Sequence, residues 1–220
     1  MRIWAGCLGL VLAGMGAAPA MAHPHVFVDT GIEVEFDDQG RAVGLWINWR
    51  YDDLFSLIII EDRGLDPDFD GVLTEAELAG LQGWDMQWDP GYPGDTYALQ
   101  GGAGLALSGP SQWNSVYAEA RISSRHFRAF AAPVVIGAEP LVVQVYDPSF
   151  YTAYAITSEV VMQGGKACEA VIYQPDEEAA GQILQDALAE QAGSADVEMA
   201  FPAIGAAYAE EARITCRAGA

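Results

Sequence analysis

Residues 23–36 read HPHVFVDTGIEVEF and are followed by DDQG at 37–40 and by AVGLWINW at 42–49. In the first segment apolar and polar residues alternate, so side chains two positions apart share one face of an extended strand. The last segment has the pattern of a returning strand behind a turn rich in Asp and Gly. These residues therefore predict a β-hairpin at the start of a β-rich fold.

The remainder of the chain predicts further strands and three helical segments. Strand-like segments are separated by Gly, Pro and Asp turns at the spacing typical of an antiparallel sandwich; they cover residues 114–122, 126–130, 140–146, 154–162 and 168–173. Residues 54–60 and 74–84 predict two helices, and residues 176–191 predict a third. We therefore expect a mainly β fold, a single antiparallel β-sandwich domain over residues 23–220. A helix-loop-helix insertion at about 52–88 interrupts it, and a C-terminal helix follows.

Charge and composition limit the classes of function. Of 220 residues, 31 are Asp or Glu and 10 are Lys or Arg, so the formal net charge is -21. Such a charge repels phosphate backbones, which excludes nucleic acid as an expected partner. Hydrophobic residues make up 51% of the chain, which is enough for a packed core and argues against a disordered chain.

The first 22 residues have the layout of a secretory signal peptide. Arg2 is their only charged residue, an apolar run follows it, and the segment ends in the small-residue motif AMA at 20–22. This pattern predicts cleavage before His23 and a periplasmic location. The alternative is an uncleaved membrane anchor, since the segment is long enough to span a bilayer, but Pro19 and the motif favour cleavage. The best later apolar run, 54–60, is too short for a span, so we expect none after cleavage.

Two cysteines remain after the signal peptide, Cys168 and Cys216. An even pair in an oxidising compartment predicts a disulfide. In the chain-entropy model, closing a loop of about 49 residues stabilises the folded state by about 4 kcal/mol. Two buried thiols or a metal site are the alternatives, although neither cysteine stands in a Cys-x-x-Cys spacing.

The strongest chemical signal is the acidic segment DPDFDGVLTEAE at residues 66–77. It matches the EF-hand spacing D-x-D-x-D-G-x5-E at every defined position. This spacing winds the chain around calcium, which takes six to eight oxygen ligands, and the glycine permits a sharp turn. The predicted ligands are the side chains of Asp66, Asp68, Asp70, Thr74 and Glu77 and the carbonyl of Val72. The alternative is a solvated acidic turn. Since the chain has one such loop, we expect calcium to be a structural staple rather than a signal.

The predicted mature chain begins with His23, Pro24 and His25. The two imidazoles fall on the same side of an extended strand, and the freed α-amine of His23 adds a third nitrogen. Because Pro24 has no amide hydrogen, the square-planar chelate that uses deprotonated amides is excluded. A site for Zn2+, Ni2+ or Co2+ remains, formed by His23, His25 and either Asp29 or a carboxylate from elsewhere in the chain. The alternative is a strand end at which both histidines only form hydrogen bonds.

The third histidine, His126, stands between Arg125 and Arg128. This basic patch predicts a salt-bridged sheet face rather than a metal ligand. Four tryptophans at strand and helix spacing are expected in the core rather than on a sugar-binding platform: Trp46, Trp49, Trp84 and Trp88.

Several motifs together resemble a bacterial family of unknown function. They are HPHVFVD at 23–29, WRYD at 49–52, the EF-hand-like insertion and VYDPSFY at 145–151. Members of that family are described as periplasmic components of an uncharacterised ABC-type transport system, often encoded beside nickel/cobalt or zinc permeases. The resemblance implies a metal-transport role and a membrane metal permease as partner. The functional residues it implies are His23, His25 and Asp29 in the first motif and Tyr146, Asp147 and Tyr151 in the last.

These observations favour a periplasmic metal-binding accessory protein of a zinc, nickel or cobalt transport system, carrying one calcium loop. The alternative is a structural or interaction protein whose only ion is calcium. An enzyme is not expected, because the sequence lacks the Gly-x-Ser-x-Gly, His-Glu-x-x-His and phosphate-loop motifs of common catalytic sites. If the protein were an enzyme, the most plausible kind would be a copper oxygenase in which the amine and imidazole of His23 pair with a second histidine.

Overall fold

The computed structural model describes residues 24–165, 167–191 and 202–217, so the predicted signal peptide and His23 lie outside the described residues. The strands are β1 Val26–Phe36, β2 Ala42–Tyr51, β3 Thr96–Gln100, β4 Ala103–Leu105, β5 Ser111–Ala118, β6 Arg121–Val134, β7 Leu141–Val145, β8 Thr152–Ile156, β9 Val161–Gln163, β10 Cys168–Tyr173 and β11 Glu211–Cys216. The helices are α1 Asp53–Asp62, α2 Glu75–Leu81 and α3 Glu177–Gln191, with a short 3-10 helix at Gly205–Tyr208. Within these ranges no helix has the length and apolar character needed to cross a membrane.

The predicted hairpin is confirmed. Strands β1 and β2 pair antiparallel, with Ile32 opposite Ile47, and their alternate side chains are buried. The turn between them is held by Asp37, whose carboxylate accepts hydrogen bonds from the N–H groups of Gln39 and Arg41, both at 2.9 Å. The alternation of residue types therefore fixes which face of the hairpin enters the core.

The strands form two sheets, and the first of them is mixed rather than antiparallel. It has six strands in the order β5-β6-β2-β1-β8, with β9 also paired to β1; the second, antiparallel sheet has the order β10-β11-β7-β3-β4. Strands β8 and β9 both run parallel to β1, so the prediction of a wholly antiparallel sandwich was wrong. The reason is that β7 belongs to the second sheet. The chain crosses between sheets at residues 146–151 and enters the first sheet along β1 instead of forming a hairpin.

One core cluster contains side chains from both sheets. Val34 and Leu45 of the first sheet and Val143 and Ile214 of the second are fully buried. Full burial of such a side chain contributes about 1.5–3 kcal/mol. At the edge of the second sheet Cys168 and Cys216 pair across β10 and β11 and form a disulfide, as the sequence predicted.

The helical insertion lies between β2 and β3, as predicted. Asp52 caps α1 by accepting a hydrogen bond from the N–H of Phe55 at 2.8 Å, and its other carboxylate oxygen accepts from the N–H of Phe27 at 2.8 Å. The hydroxyl of Ser56 in α1 accepts a hydrogen bond from the N–H of Ile122 at 2.9 Å. These bonds attach α1 to strands of the first sheet, and the acidic segment connects α1 to α2.

Candidate metal centre

Three carboxylates of the acidic segment converge. Each of Asp66, Asp68 and Asp70 offers an oxygen, and these oxygens all lie within 4.8 Å of one another. Asp66 is 9% exposed, while the other two side chains face solvent. Carboxylate oxygens in this arrangement suit a hard cation such as calcium. The structure thus brings together three of the six predicted ligands.

Backbone geometry explains the convergence. The carboxylate of Asp66 accepts hydrogen bonds from the N–H groups of Asp70 and Gly71, both at 3.0 Å. These bonds curl the chain back over Asp66, and the turn requires a φ of 76° at Gly71. That left-handed conformation is accessible to glycine without strain, which accounts for the residue type at this position of the motif.

The acidic group is under electrostatic strain. The neighbouring Asp70 carboxylate, followed by burial and by Asp66, raises the pKa of Asp68 above its usual value. Like charges held this close disfavour ionisation of one another. A bound cation would remove that repulsion, because its own charge becomes the largest in the site.

Glu77, the predicted closing ligand, is engaged elsewhere. Its carboxylate accepts hydrogen bonds from the N–H and the hydroxyl of Thr74 at 2.7 and 2.8 Å, and the N–H of Glu77 donates back to that hydroxyl at 3.4 Å. This is a capping box that satisfies the N-terminus of α2. Thr74 and Glu77 therefore bind each other, and Val72 adjoins the acidic group through its N–H, which donates to Asp70 at 2.8 Å.

The N-terminal motif at 23–29 meets the motif at 145–151 at the edge of the first sheet. The N–H groups of His25 and Val26 donate to the carbonyl of Tyr151 at 2.8 and 3.2 Å. The rings of His25 and Tyr151 are 4.9 Å apart between centroids, and His25 is exposed. Two motifs separated by more than a hundred residues in sequence thus share one location, although His23 lies outside the described residues.

Asp29 lies on the same face of β1 as His25 but farther along the strand. Four residues of β-strand span about 13 Å. The carboxylate of Asp29 forms an ion pair with Arg121, at 2.9 Å from Nη1. In this conformation its charge is matched by a guanidinium, so joining a metal ion with His25 requires a rearrangement.

The other two candidate residues of the motif at 145–151 have separate contacts. The carboxylate of Asp147 accepts hydrogen bonds from the N–H of Ser149 at 2.8 Å and the N–H of Thr152 at 3.1 Å, which shape the turn that leads into β8. The ring of Tyr146 stacks on Tyr97 with 4.1 Å between centroids. Asp147 therefore orients the crossover between the sheets.

Comparison with known protein families matches residues 8–216 to a family model described as "Protein of unknown function (DUF1007)". The chain belongs to the DUF1007 family. Comparison with curated proteins gives no match. Because the DUF1007 description names no activity, the functional interpretation of the chain depends on its own residues.

The prediction that His126 lies on a salt-bridged sheet face was wrong. This side chain is fully buried and packs edge-on against the rings of Trp49 and Trp88, at 4.8 and 5.4 Å. Neither of its nitrogens has a hydrogen-bond partner among the described residues. Burial, and secondarily the charge of Arg128, lowers the pKa of His126 to about 3. Alternation along β6 is the signal that would have placed it inside, because Ile122 on the same face is also buried.

Proposed function

We propose that the protein is a periplasmic metal-binding accessory component of a transition-metal transport system, and that its acidic loop binds calcium. Calcium binding by the loop is supported by the convergence of the Asp66, Asp68 and Asp70 carboxylates, whose oxygens lie within 4.8 Å of one another. The disulfide between Cys168 and Cys216 supports a location outside the cytoplasm, since such bonds persist in oxidising compartments.

The donor set of the loop fits calcium well. Three carboxylates are in place, and the Glu77 carboxylate is seven residues beyond Asp70, attached to the first turn of α2. Calcium takes more oxygen ligands than three aspartates supply in single contacts. We infer that Glu77 leaves Thr74 when calcium binds and becomes the closing ligand, while the Val72 carbonyl and Thr74 complete the set.

The transition-metal role rests on the N-terminal motif. His25 is exposed and its ring is packed against Tyr151, which holds one imidazole at the sheet edge. With the amine and imidazole of His23 it would supply three nitrogen ligands, a set that suits Zn2+, Ni2+ or Co2+. The resemblance of the sequence motifs to a family often encoded beside metal permeases supports docking on a membrane metal permease. Asp29 becomes a ligand only if it leaves Arg121.

Calorimetric titration of the protein starting at His23 tests both roles. We expect one calcium site and, separately, one site for Zn2+, Ni2+ or Co2+. Asp68→Asn should weaken calcium binding at least about tenfold and leave the transition-metal isotherm unchanged, because a lost carboxylate ligand affects only the loop. The double variant His23→Ala and His25→Ala should lose transition-metal binding and leave calcium affinity unchanged. Asp38→Asn, an exposed acidic residue in the β1–β2 turn, is the matched control.

The outcomes separate the two parts of the proposal. If calcium binds but the double histidine variant binds transition metals as the parent does, the N-terminal site is wrong. The alternative function, a calcium-stabilised structural or interaction protein, would then remain. If Asp68→Asn binds calcium with unchanged affinity, the loop is not the calcium site.

A further inference from the structure

A third candidate site lies away from both proposed metal sites. A cleft of about 760 Å3 opens between the loop at residues 88–93 and the β3–β4 edge of the second sheet. This volume lies within the range of small-molecule sites, which is about 300–1,000 Å3. None of the acidic loop residues 66–77 and none of the N-terminal motif lines it. Its contents would therefore be independent of the proposed metal sites.

Aromatic side chains line much of the cleft. Trp88, Tyr92, Tyr97 and Tyr146 all contribute to its walls. Tyr97 and Tyr146 stack with an angle of 13° between their rings, and Trp88 and Tyr92 meet edge to face at 5.5 Å. The indole N–H of Trp88 donates to the carbonyl of Asp85 at 2.7 Å, which fixes that ring. Such fixed rings favour a planar, unsaturated ligand.

A buried arginine also lines the cleft. Arg128 is 4% exposed and donates from Nε to the carbonyl of Ser108 at 2.7 Å and from Nη1 to the carbonyl of Pro93 at 2.6 Å. Its guanidinium lies 4.9 Å from the centre of the Trp88 ring. These contacts satisfy N–H groups, but carbonyls and a ring do not neutralise a full charge.

The charge of Arg128 has no carboxylate partner among the described residues, whose ion pairs involve other arginines. Acidic residues outnumber basic ones threefold in this chain, so a partner would be easy to supply. Buried charges are normally paired, because an uncompensated charge in the interior is costly. The cleft therefore contains a buried positive charge that forms no ion pair with the described residues, although the exposed Asp89 also lines the cleft.

An unsatisfied hydroxyl adds a second polar group. Thr96 lines the cleft, is 3% exposed, and its Oγ1 has no hydrogen-bond partner within the part of the chain that the structure describes. Buried hydroxyls usually have a partner in the protein or in a bound molecule. A ligand with oxygen atoms that accept hydrogen bonds would satisfy both Thr96 and Arg128.

We propose that this cleft binds a small organic anion with a carboxylate on a planar, unsaturated ring. The carboxylate pairs with the Arg128 guanidinium and accepts a hydrogen bond from the Thr96 hydroxyl. The ring packs against Trp88 and Tyr92, which lie next to Arg128. Opposite charge and aromatic contact together select such a ligand over a neutral one of the same shape.

The test compares two probes of matched shape, 2-naphthoate and the neutral 2-naphthamide, by calorimetry on the mature protein. We expect 2-naphthoate to bind at one site and 2-naphthamide to bind at least about tenfold more weakly, because a charge-assisted bond is about twice as strong as a neutral one. Equal affinities for the two probes would overturn the proposal. A dissociation constant for 2-naphthoate above about 1 mM would also overturn the proposal.

Variants then locate the binding site. Tyr92→Ala should weaken 2-naphthoate binding at least about threefold, because it removes one aromatic contact. Tyr173→Ala, a similarly exposed tyrosine on β10 that does not line the cleft, is the matched control. Arg128→Met should abolish the preference for 2-naphthoate, while Arg128→Lys keeps part of it. If Arg128→Met does not fold, as judged by circular dichroism, the Tyr92→Ala result decides. Unchanged binding in Tyr92→Ala would rule out this cleft.

Discussion

The ring of His25 lies 4.9 Å from the ring of Tyr151, where β1 begins its parallel pairing with β8. The carbonyl of Tyr151 also accepts hydrogen bonds from the N–H groups of His25 and Val26. This contact joins the first and the last motif of the chain at one sheet edge. Under the proposed function, Tyr151 holds the exposed imidazole in place for metal binding.

Replacing Tyr151 tests that positioning role. Aromatic contacts of this type contribute about 0.5–1.5 kcal/mol, so Tyr151→Ala should weaken zinc binding by about two- to tenfold without changing calcium affinity. Calorimetry measures both affinities, and Tyr173→Ala is the control. Zinc affinity equal to that of the parent would show that the ring contact does not support a metal site.

Glu77→Gln separates the two roles assigned to this side chain. Glutamine can still form the capping box, so the stability of α2 without calcium should stay within about 0.5 kcal/mol of the parent. Calcium affinity should fall at least about tenfold, because the amide lacks the charge and the bidentate oxygens of the carboxylate. Denaturant unfolding without calcium and calorimetry with calcium measure the two effects.

Thr74→Ala provides the comparison for Glu77→Gln. It removes the N-cap hydroxyl and should cost about 1 kcal/mol even without calcium. Calcium affinity in Glu77→Gln equal to that of the parent would show that Glu77 remains a cap and never becomes a ligand.

The buried His126 should make folding sensitive to acid. Its pKa of about 3 in the folded protein lies below the ordinary value of 6.5, so the unfolded chain binds a proton first as the pH falls. Stability is therefore lost between pH 6.5 and pH 3. Relative to the parent, His126→Leu should gain about 2 kcal/mol of unfolding free energy when the pH is lowered from 7.5 to 5. Urea unfolding at the two pH values measures this, and parallel profiles for the two proteins would contradict it.

Asp95 should make the unfolding free energy depend on pH in the opposite direction to His126. Burial raises its pKa from 3.8 to about 6 despite hydrogen bonds from Tyr92 and Tyr154. Between pH 3.8 and 6 the folded state thus keeps a proton that the unfolded chain has lost, and the contribution of this proton to the unfolding free energy falls as the pH rises. The unfolding free energy of Asp95→Asn should rise by about 2 kcal/mol relative to that of the parent when the pH is raised from 4 to 7. A difference in unfolding free energy that does not vary with pH would refute the assignment.

The Cys168–Cys216 disulfide should contribute substantially to stability. The cysteines are 48 residues apart, so the double variant Cys168→Ser and Cys216→Ser should lose about 4 kcal/mol of unfolding free energy in the chain-entropy model. Thermal and denaturant unfolding measure the loss. A reducing agent should destabilise the parent but leave the double variant unaffected, and equal stability of the two proteins would contradict this prediction.

The sequence predicted those features that depend on local patterns. Alternation gave the β1–β2 hairpin, helical spacing gave α3 at Glu177–Gln191, and acidic residues marked the start of α1 at Asp53. The pair of cysteines that remains after the predicted signal peptide indicated the disulfide. Each of these signals is contained in a few neighbouring residues or in a count, so no knowledge of tertiary packing was needed.

Features that depend on long-range packing were not predictable in the same way. The parallel pairing of β8 with β1 arises because the chain changes sheets after β7, which alternation within each strand does not encode. The ion pair of Asp29 with Arg121 joins residues from two strands. Glu77 fits two local motifs at once, the calcium loop and the capping box, and the residue types alone do not decide between them.

A crystal structure of the mature protein grown with calcium chloride would show directly whether the acidic loop binds calcium. We predict a calcium ion ligated by Asp66, Asp68, Asp70 and Glu77 at about 2.3–2.6 Å, with the Glu77 carboxylate released from Thr74. A loop without calcium at saturating concentration, or an ion bound while Glu77 still caps α2, would contradict it.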